Sequence, residues 1–143
     1  MPAPGMKGLE HFAIITSDLP RSRRFYVDVL GAEVNQRGGP PGVVLAGLTI
    51  DLFPADEVGD GPMPGPEIQH HAFGISREDA DAWIEHLRSQ GVRFRIENFG
   101  VRRGALLFED PDGYHLELAM HFQTPEEQQE TLGKHGWVPS GRD

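Results

Sequence analysis

The sequence predicts an α+β fold in which two βαβββ modules curl their sheets into a metal-binding barrel, and three observations lead there. First, the chain repeats itself. With His11 laid over His70, the stretch His11-Phe12-Ala13-Ile14 falls on His70-His71-Ala72-Phe73, and each copy runs into a helical pattern closed by a glycine, Gly31 or Gly91. Second, each half carries one helix-period segment followed by three short strand-period segments. A doubly wound parallel sheet needs a helix at nearly every crossover, so this order excludes it. Third, single polar residues recur at matching places in otherwise apolar strands.

Residues 1–7 are rich in proline and glycine and read as a flexible N-terminus without the apolar core of a secretory signal. A single domain spans residues 8–121, with module one at 8–54, a linker at 55–68 and module two at 69–121. The first strand covers residues 8–16. Ser17 is the expected N-cap, with Asp18 in the first turn where the helix dipole favours an acid. The helix runs to about Leu30 on the apolar positions Leu19, Phe25, Tyr26, Val29 and Leu30, and Gly31 ends it as a C′ residue. Strands at 32–36, 42–46 and 48–53 follow, separated by Gly-Gly-Pro-Pro at 38–41 and by Gly47. The linker is rich in proline, glycine and acid and shows no periodicity.

Module two repeats the order. A strand at 70–76 leads into a helix at 77–90 whose apolar stripe is Ala80, Trp83, Ile84 and Leu87. Strands follow at 92–98, 104–109 and 114–120, the last two joined by the turn Asp110-Pro111-Asp112-Gly113. In the tail, 122–143, Thr124 and Glu127 form a capping-box pattern ahead of a short helix to about Leu132. Trp137 in this tail is suited either to lid a cavity or to pack on a second subunit.

A net charge of −9 excludes non-specific binding to nucleic acid or to anionic membrane, because both require a basic surface. No apolar run approaches the roughly 20 residues that span a bilayer. The chain has no cysteine, which excludes disulfides, thiolate nucleophiles and Cys-ligated metals. A cytoplasmic protein is expected.

Side chains alternate faces along a strand, so residues two apart share one. His11 then shares a face with Ala13 and Ile15, and His70 with Ala72 and Gly74. Asp51 stands between Ile50 and Leu52, and Glu117 between Leu116 and Leu118, each a lone carboxylate in the last strand of its half. A two-fold between the halves would bring both histidines and both carboxylates toward one centre. Isolated buried charge is costly unless paired or metal-bound. Two imidazoles with one or two carboxylates suit a borderline divalent ion, so His11, His70, Glu117 and Asp51 are the candidate ligands. His71 points to the opposite face. His115, two residues before Glu117, can line the cavity as a hydrogen-bond donor or as the general acid/base, and it is the candidate catalytic residue. Arg102 and Arg103, ahead of a strand, could steer an anionic substrate to the mouth.

These residues resemble the vicinal oxygen chelate superfamily, which includes glyoxalase I, extradiol ring-cleaving dioxygenases, methylmalonyl-CoA epimerase and fosfomycin-resistance enzymes. The resemblance covers about residues 8–121. It rests on Leu9-Glu10-His11-Phe12-Ala13-Ile14, Asp18-Leu19, the run from Arg24 to Gly31, His70-His71-Ala72-Phe73, and the run from Asp110 to Leu118. It implies a glyoxalase-like fold of paired βαβββ modules around one divalent metal ion (Fe, Ni, Zn, Mn or Co), often in a homodimer. His11, His70 and Glu117 fall on the usual ligand positions. Asp51 stands where glyoxalase-like and epimerase-like members carry Glu or Gln, one methylene longer. Two departures narrow the branch. Leu107 occupies the place of a tyrosine in extradiol dioxygenases and fosfomycin thiol transferases, and Ala13 the place of the transferases' threonine.

The chemistry implied is metal-dependent lyase, isomerase or dioxygenase chemistry, in which two adjacent substrate oxygens are chelated and an enolate- or catecholate-like intermediate is stabilised. The alternatives are an Fe(II) ring-cleaving dioxygenase, a fosfomycin-type thiol transferase or hydrolase, and a metal-free drug-binding resistance protein. Members of the last kind typically lose the ligand histidines, and both are present here.

Overall fold

The computed structural model describes residues 2–137. Met1, in the expected flexible N-terminus, and residues 138–143, the end of the expected tail, lie outside the described residues. The chain divides into two compact units, Met1–Met63 and Pro64–Asp143, and the division falls inside the stretch expected as the linker.

The first unit contains β1 (His11–Thr16), α1 (Leu19–Asp28), β2 (Glu33–Val34), β3 (Gly42–Leu45), β4 (Leu48–Pro54) and α2 (Ala55–Val58). Its sheet has the order β1-β4-β3-β2, with β1 parallel to β4 and the other pairs antiparallel. β1 starts three residues later than expected, because Gly8 at φ 115° takes the chain out of the extended region. The N-cap of α1 is Asp18 rather than Ser17. The Asp18 carboxylate accepts from the Arg21 amide at 3.1 Å, while the Ser17 hydroxyl accepts from the Arg21 guanidinium at 2.8 Å. Gly31 at φ 76° closes the helix, its amide reaching the Val27 carbonyl. α2 is a single turn in a stretch expected to be structureless, stopped by Gly59 at φ 83°. Tyr26 and Ser22 of α1 are buried, with Ile14, Val43, Ile50 and Leu52 from the strands.

The second unit contains β5 (His71–Gly74), a 3₁₀ turn (Arg77–Asp79), α3 (Ala80–Ser89), β6 (Arg95–Glu97), β7 (Arg103–Glu109), β8 (His115–His121) and α4 (Pro125–Gly133). The order β5-β8-β7-β6, with β5 parallel to β8, repeats the first sheet strand for strand. Neither sheet closes on itself; each is open and four-stranded. The expected helix at 77–90 begins as the 3₁₀ turn and becomes α-helical only at Ala80, burying Ala80, Ile84 and Leu87 at i, i+4 and i+7. The turn between β7 and β8 is built on Asp110, whose carboxylate accepts from the amides of Asp112 (2.9 Å) and Tyr114 (3.0 Å), with Gly113 at φ 88°. At α4, Thr124 caps the Glu127 amide as expected, but the Glu127 carboxylate reaches the amide of Gln123 rather than that of the cap residue itself. Among the described residues no helix is long and apolar enough to cross a membrane.

Two glycines mark close approaches. A β-carbon on Gly42, which pairs with Asp51, would run into the carbonyl oxygen of Ile50. One on Gly104 would stand 3.0 Å from the Phe122 ring and 3.2 Å from Leu132 of α4. The end of α4 is tied to the start of α3 by Asp81, which bonds His135 Nε2 at 2.6 Å and Lys134 Nζ at 3.0 Å.

Gly42→Ala is expected to cost at least about 2 kcal/mol, because the obstacle is backbone and cannot turn aside; denaturant unfolding measures it. His135, then Lys134, hold the Asp81 carboxyl below its ordinary value of 3.8. The contribution of this clamp is therefore present above about pH 4 and is lost as pH falls through the lowered value. Hydrogen exchange at the His135 and Gly136 amides should be faster in Asp81→Asn than in the parent at pH 7, and the two should converge as pH falls through the lowered value.

Candidate metal centre

Strand alternation places each candidate ligand. In β1 and β4 the core residues Ile14, Thr16, Ile50 and Leu52 alternate with His11, Ala13, Thr49 and Asp51, the last also buried, and in the register His11 pairs with Thr49 while Ala13 pairs with Asp51. His11 and Asp51 are thus diagonal neighbours on one face, with His11 Nε2 4.0 Å from Asp51 Oδ2. The other imidazole nitrogen, Nδ1, lies 2.9 Å from the Glu10 carboxylate. A carboxylate there accepts, so Nδ1 carries a proton and Nε2 is the nitrogen on the Asp51 side.

The second unit repeats this construction in a tighter form. Ala72 pairs with Glu117 across β5 and β8, and Leu107 pairs with Glu117 across β7 and β8. His70 stands one residue before β5, and its Nε2 lies 3.1 Å from Glu117 Oε2. Its Nδ1 lies 3.1 Å and 3.3 Å from the carbonyls of Ile68 and Glu67. Carbonyls only accept, so Nδ1 carries a proton, and Nε2 is the ring nitrogen left toward the carboxylate. Neither oxygen of Glu117 receives a hydrogen bond from the described residues, although the residue is only 1% exposed. The segment supplying the carbonyls is fastened by an ion pair from Glu67 to Arg95 of β6, which holds the Glu67 carboxyl below its usual range.

His71 lies on the other face with Phe73, and burial, with His70 beside it, pushes its imidazole below its ordinary value. His115 shares the face of Glu117. Its Nε2 donates to the Gly65 carbonyl at 3.1 Å, so the nitrogen open to a proton is Nδ1, 3.7 Å from Glu109. Arg103 is the first residue of β7, on the same face as Leu107, and Arg102 is exposed in the turn before it. Among the described residues no group of three or more His, Asp or Glu side chains gathers into a metal cluster. What the structure brings together is one imidazole and one carboxylate in each unit. Sequence reasoning missed Glu10 and the carbonyls of Glu67, Ile68 and Gly65. Glu10 was legible as the acid preceding His11, whereas a backbone carbonyl has no sequence signature.

The residues fit a divalent ion. Imidazole nitrogen and carboxylate oxygen are the donors such ions take, and a buried carboxyl that receives no hydrogen bond from the described residues, 3.1 Å from an imidazole nitrogen, suits a cation. A family model described as the Glyoxalase/Bleomycin resistance protein/Dioxygenase superfamily matches residues 8–118. The chain belongs to this superfamily. It is 34% identical over 128 residues to the uncharacterized protein YaeR of Escherichia coli strain K12, covering 80% of this chain and 96% of YaeR. It is 33% identical over 132 residues to biphenyl-2,3-diol 1,2-dioxygenase 3 of Rhodococcus globerulus, covering 83% of this chain and 66% of that enzyme. A crystal structure of the fosfomycin resistance protein FosX from Listeria monocytogenes superimposes with a TM-score of 0.67 at 25% identity, over 88% of this chain and 98% of FosX.

Glu117→Leu should stabilise the metal-free protein, because it removes a buried carboxyl that receives no hydrogen bond from the described residues. Thermal melts after chelator treatment, with and without added Mn²⁺, check this: the ion should raise the midpoint of the parent protein and leave that of the variant unchanged.

Proposed function

We propose that this superfamily member is a divalent-metal-dependent enzyme acting on a small oxygenated substrate. His11, His70 and Glu117, with Asp51, are the proposed donors for one ion of Fe, Ni, Zn, Mn or Co. The observation that carries the reading is Glu117: a buried carboxylate with no hydrogen-bond donor among the described residues, 3.1 Å from the Nε2 of an imidazole that backbone carbonyls hold in place. When bound, the ion supplies Lewis acidity, chelating two adjacent substrate oxygens and stabilising negative charge as it develops.

The chain's own residues supply the rest. The Ile68 and Glu67 carbonyls fix the tautomer and angle of His70, and Glu10 does the same for His11. Leu107 and Ala72, the strand neighbours of Glu117, bring it no hydrogen-bonding side chain. His115 is the proposed acid/base, working through Nδ1, with Nε2 anchored on Gly65. Arg102 and Arg103 are the proposed contacts for an anionic group. A homodimer in the cytoplasm, with a small molecule as its substrate and neither nucleic acid nor membrane as partner, accompanies this reading. The net charge of −9 supports the exclusion of the polyanions.

A second reading, fosfomycin-type epoxide opening by water or thiol, draws support from the likeness to FosX. Ring cleavage by an Fe(II) dioxygenase draws support from the likeness to the biphenyl-diol enzyme. In both, the position across from the buried glutamate matters. The register puts Leu107 there, so any phenol those branches use is absent, and chemistry in which Glu117 has an apolar neighbour is favoured.

Metal stoichiometry of anaerobically purified protein tests the reading. About one ion per chain is expected in the parent protein, none in His70→Ala or Glu117→Ala, and parent-like content in His71→Ala. Metal kept by His70→Ala and lost by His71→Ala would overturn the assignment of faces, and a parent protein that takes up no ion would overturn the enzyme reading. Iron in the parent directs assays to catechols; any other ion directs them to hemithioacetals and epoxides.

A further inference from the structure

Gln128 of α4 is buried, 2% exposed, in a helix that also carries Glu126, Glu127 and Glu130. Its amide spends both N–H groups on backbone carbonyls, that of Gly100 at 2.9 Å and that of Arg103 at 2.6 Å. The carbonyl between them in the chain, Arg102, accepts from the Phe122 amide at 2.6 Å. The turn leading into β7 is thus pinned at three successive points from β8's end and α4. It needs the pinning, since Gly100 sits at φ 121° and the turn exposes Phe99 and Val101.

The pinned turn delivers Arg103. Its guanidinium lies 5.9 Å from the Phe99 ring centroid, within cation–π range. No carboxylate among the described residues pairs with it, and its Nε is buried without an acceptor. Buried N–H groups are nearly always satisfied, so an orphan on an arginine asks for an external acceptor. A carboxylate or phosphoryl group can take Nε–H and an Nη–H together as a bidentate pair. Arg103 shares a strand face with Leu107, which pairs with Glu117, and four residues of strand separate Arg103 from Leu107 by about 13 Å. His121 of β8 pairs with Arg103, and on the other side of β7 Glu97 and Arg95 of β6 pair with Ala105 and Leu107 on the same face, Glu97 being held by Arg95.

We propose that Gln128 is a positioning residue: by bonding the Gly100 and Arg103 carbonyls it presents the Arg103 guanidinium to the oxyanion end of an elongated substrate whose other end lies toward Glu117. This deepens the metal-enzyme reading by naming a substrate class, and it rests on that reading only for the second end of the substrate.

The test uses chelator-treated full-length protein, so that a bound ion contributes nothing and failure of the metal reading leaves the result interpretable. Inorganic phosphate, and separately acetate, are titrated while the arginine Nε–H signals are followed by ¹H–¹⁵N NMR. Saturable movement of the Arg103 signal is expected, absent in Arg103→Ala. Gln128→Met, similar in length and without N–H groups, should weaken phosphate binding about tenfold while the backbone amide spectrum of the strands stays unchanged. Should that variant not fold, Gln128→Asn, which keeps the amide but is too short for both carbonyls, carries the same comparison with a smaller loss. A phosphate and acetate response at neither Arg103 nor its neighbours, or parent-like affinity in a folded Gln128 variant, would overturn the proposal. Movement with phosphate alone identifies a phosphoryl group, and movement with both a general oxyanion site.

Discussion

Everything proposed for this chain depends on the register of β8. Its side chains alternate between the core, where Leu116, Leu118 and Met120 are buried, and the face that carries Glu117. A shift of one residue would send Glu117 into the apolar core and two leucines outward. The register is held at one end by the Asp110 turn, in which the side chain and backbone of one residue together bind the amides of Asp112, Gly113 and Tyr114. Each core leucine kept on its side is worth about 1.5–3 kcal/mol, so packing drives the choice of face and the carboxylate is carried along with it. The residue least suited to burial is fixed in place by the residues best suited to it.

The two halves solve the same problem with different precision. Both point an imidazole Nε2 at a carboxylate and fix the ring through Nδ1. In the first unit the fixing group is Glu10, an exposed side chain, and the gap is 4.0 Å; in the second it is a pair of carbonyls, and the gap is 3.1 Å. Backbone acceptors keep no rotamer freedom of their own, whereas a surface glutamate must be ordered to do the same work. Asp51 is also shorter than Glu117 by one methylene. The second pair is therefore the better organised of the two before any ligand arrives.

Much of this was legible in the sequence, and the reasons differ by feature. The repeat, the two βαβββ orders and the faces of His70, His71 and Glu117 follow from period-two alternation, which is local. Strand ends were less legible: residues 92–94 read as strand but lead from the end of α3 into β6, with the Val92 amide bonded back to Leu87. The one-turn α2 rests on four residues with no periodicity to detect. Ser17 and Asp18 are both good caps, and only the geometry of the Arg21 amide separates them. Within the site, the side chains could be nominated from their isolation in apolar strands. Their holders could not, because carbonyls such as those of Ile68 and Gly65 are present at every residue. Gln128 is hidden for a related reason: in the polar run from Glu126 to Glu130 it reads as surface.

Gly42 has a meaning for the gene as well as for the fold. Every other amino acid carries a β-carbon, and at this position the β-carbon meets backbone that has no alternative conformer to adopt. In a library of single-codon changes, residue 42 should therefore stand out as intolerant while the exposed glycines at 38 and 39, a few codons upstream, are held only by their φ angles. Because its strand partner is Asp51, that intolerance also limits how the first half can diversify. New chemistry there has to come from exchanging the side chain at 51 or 11, since the backbone between β3 and β4 leaves no room for insertion of bulk from the other side.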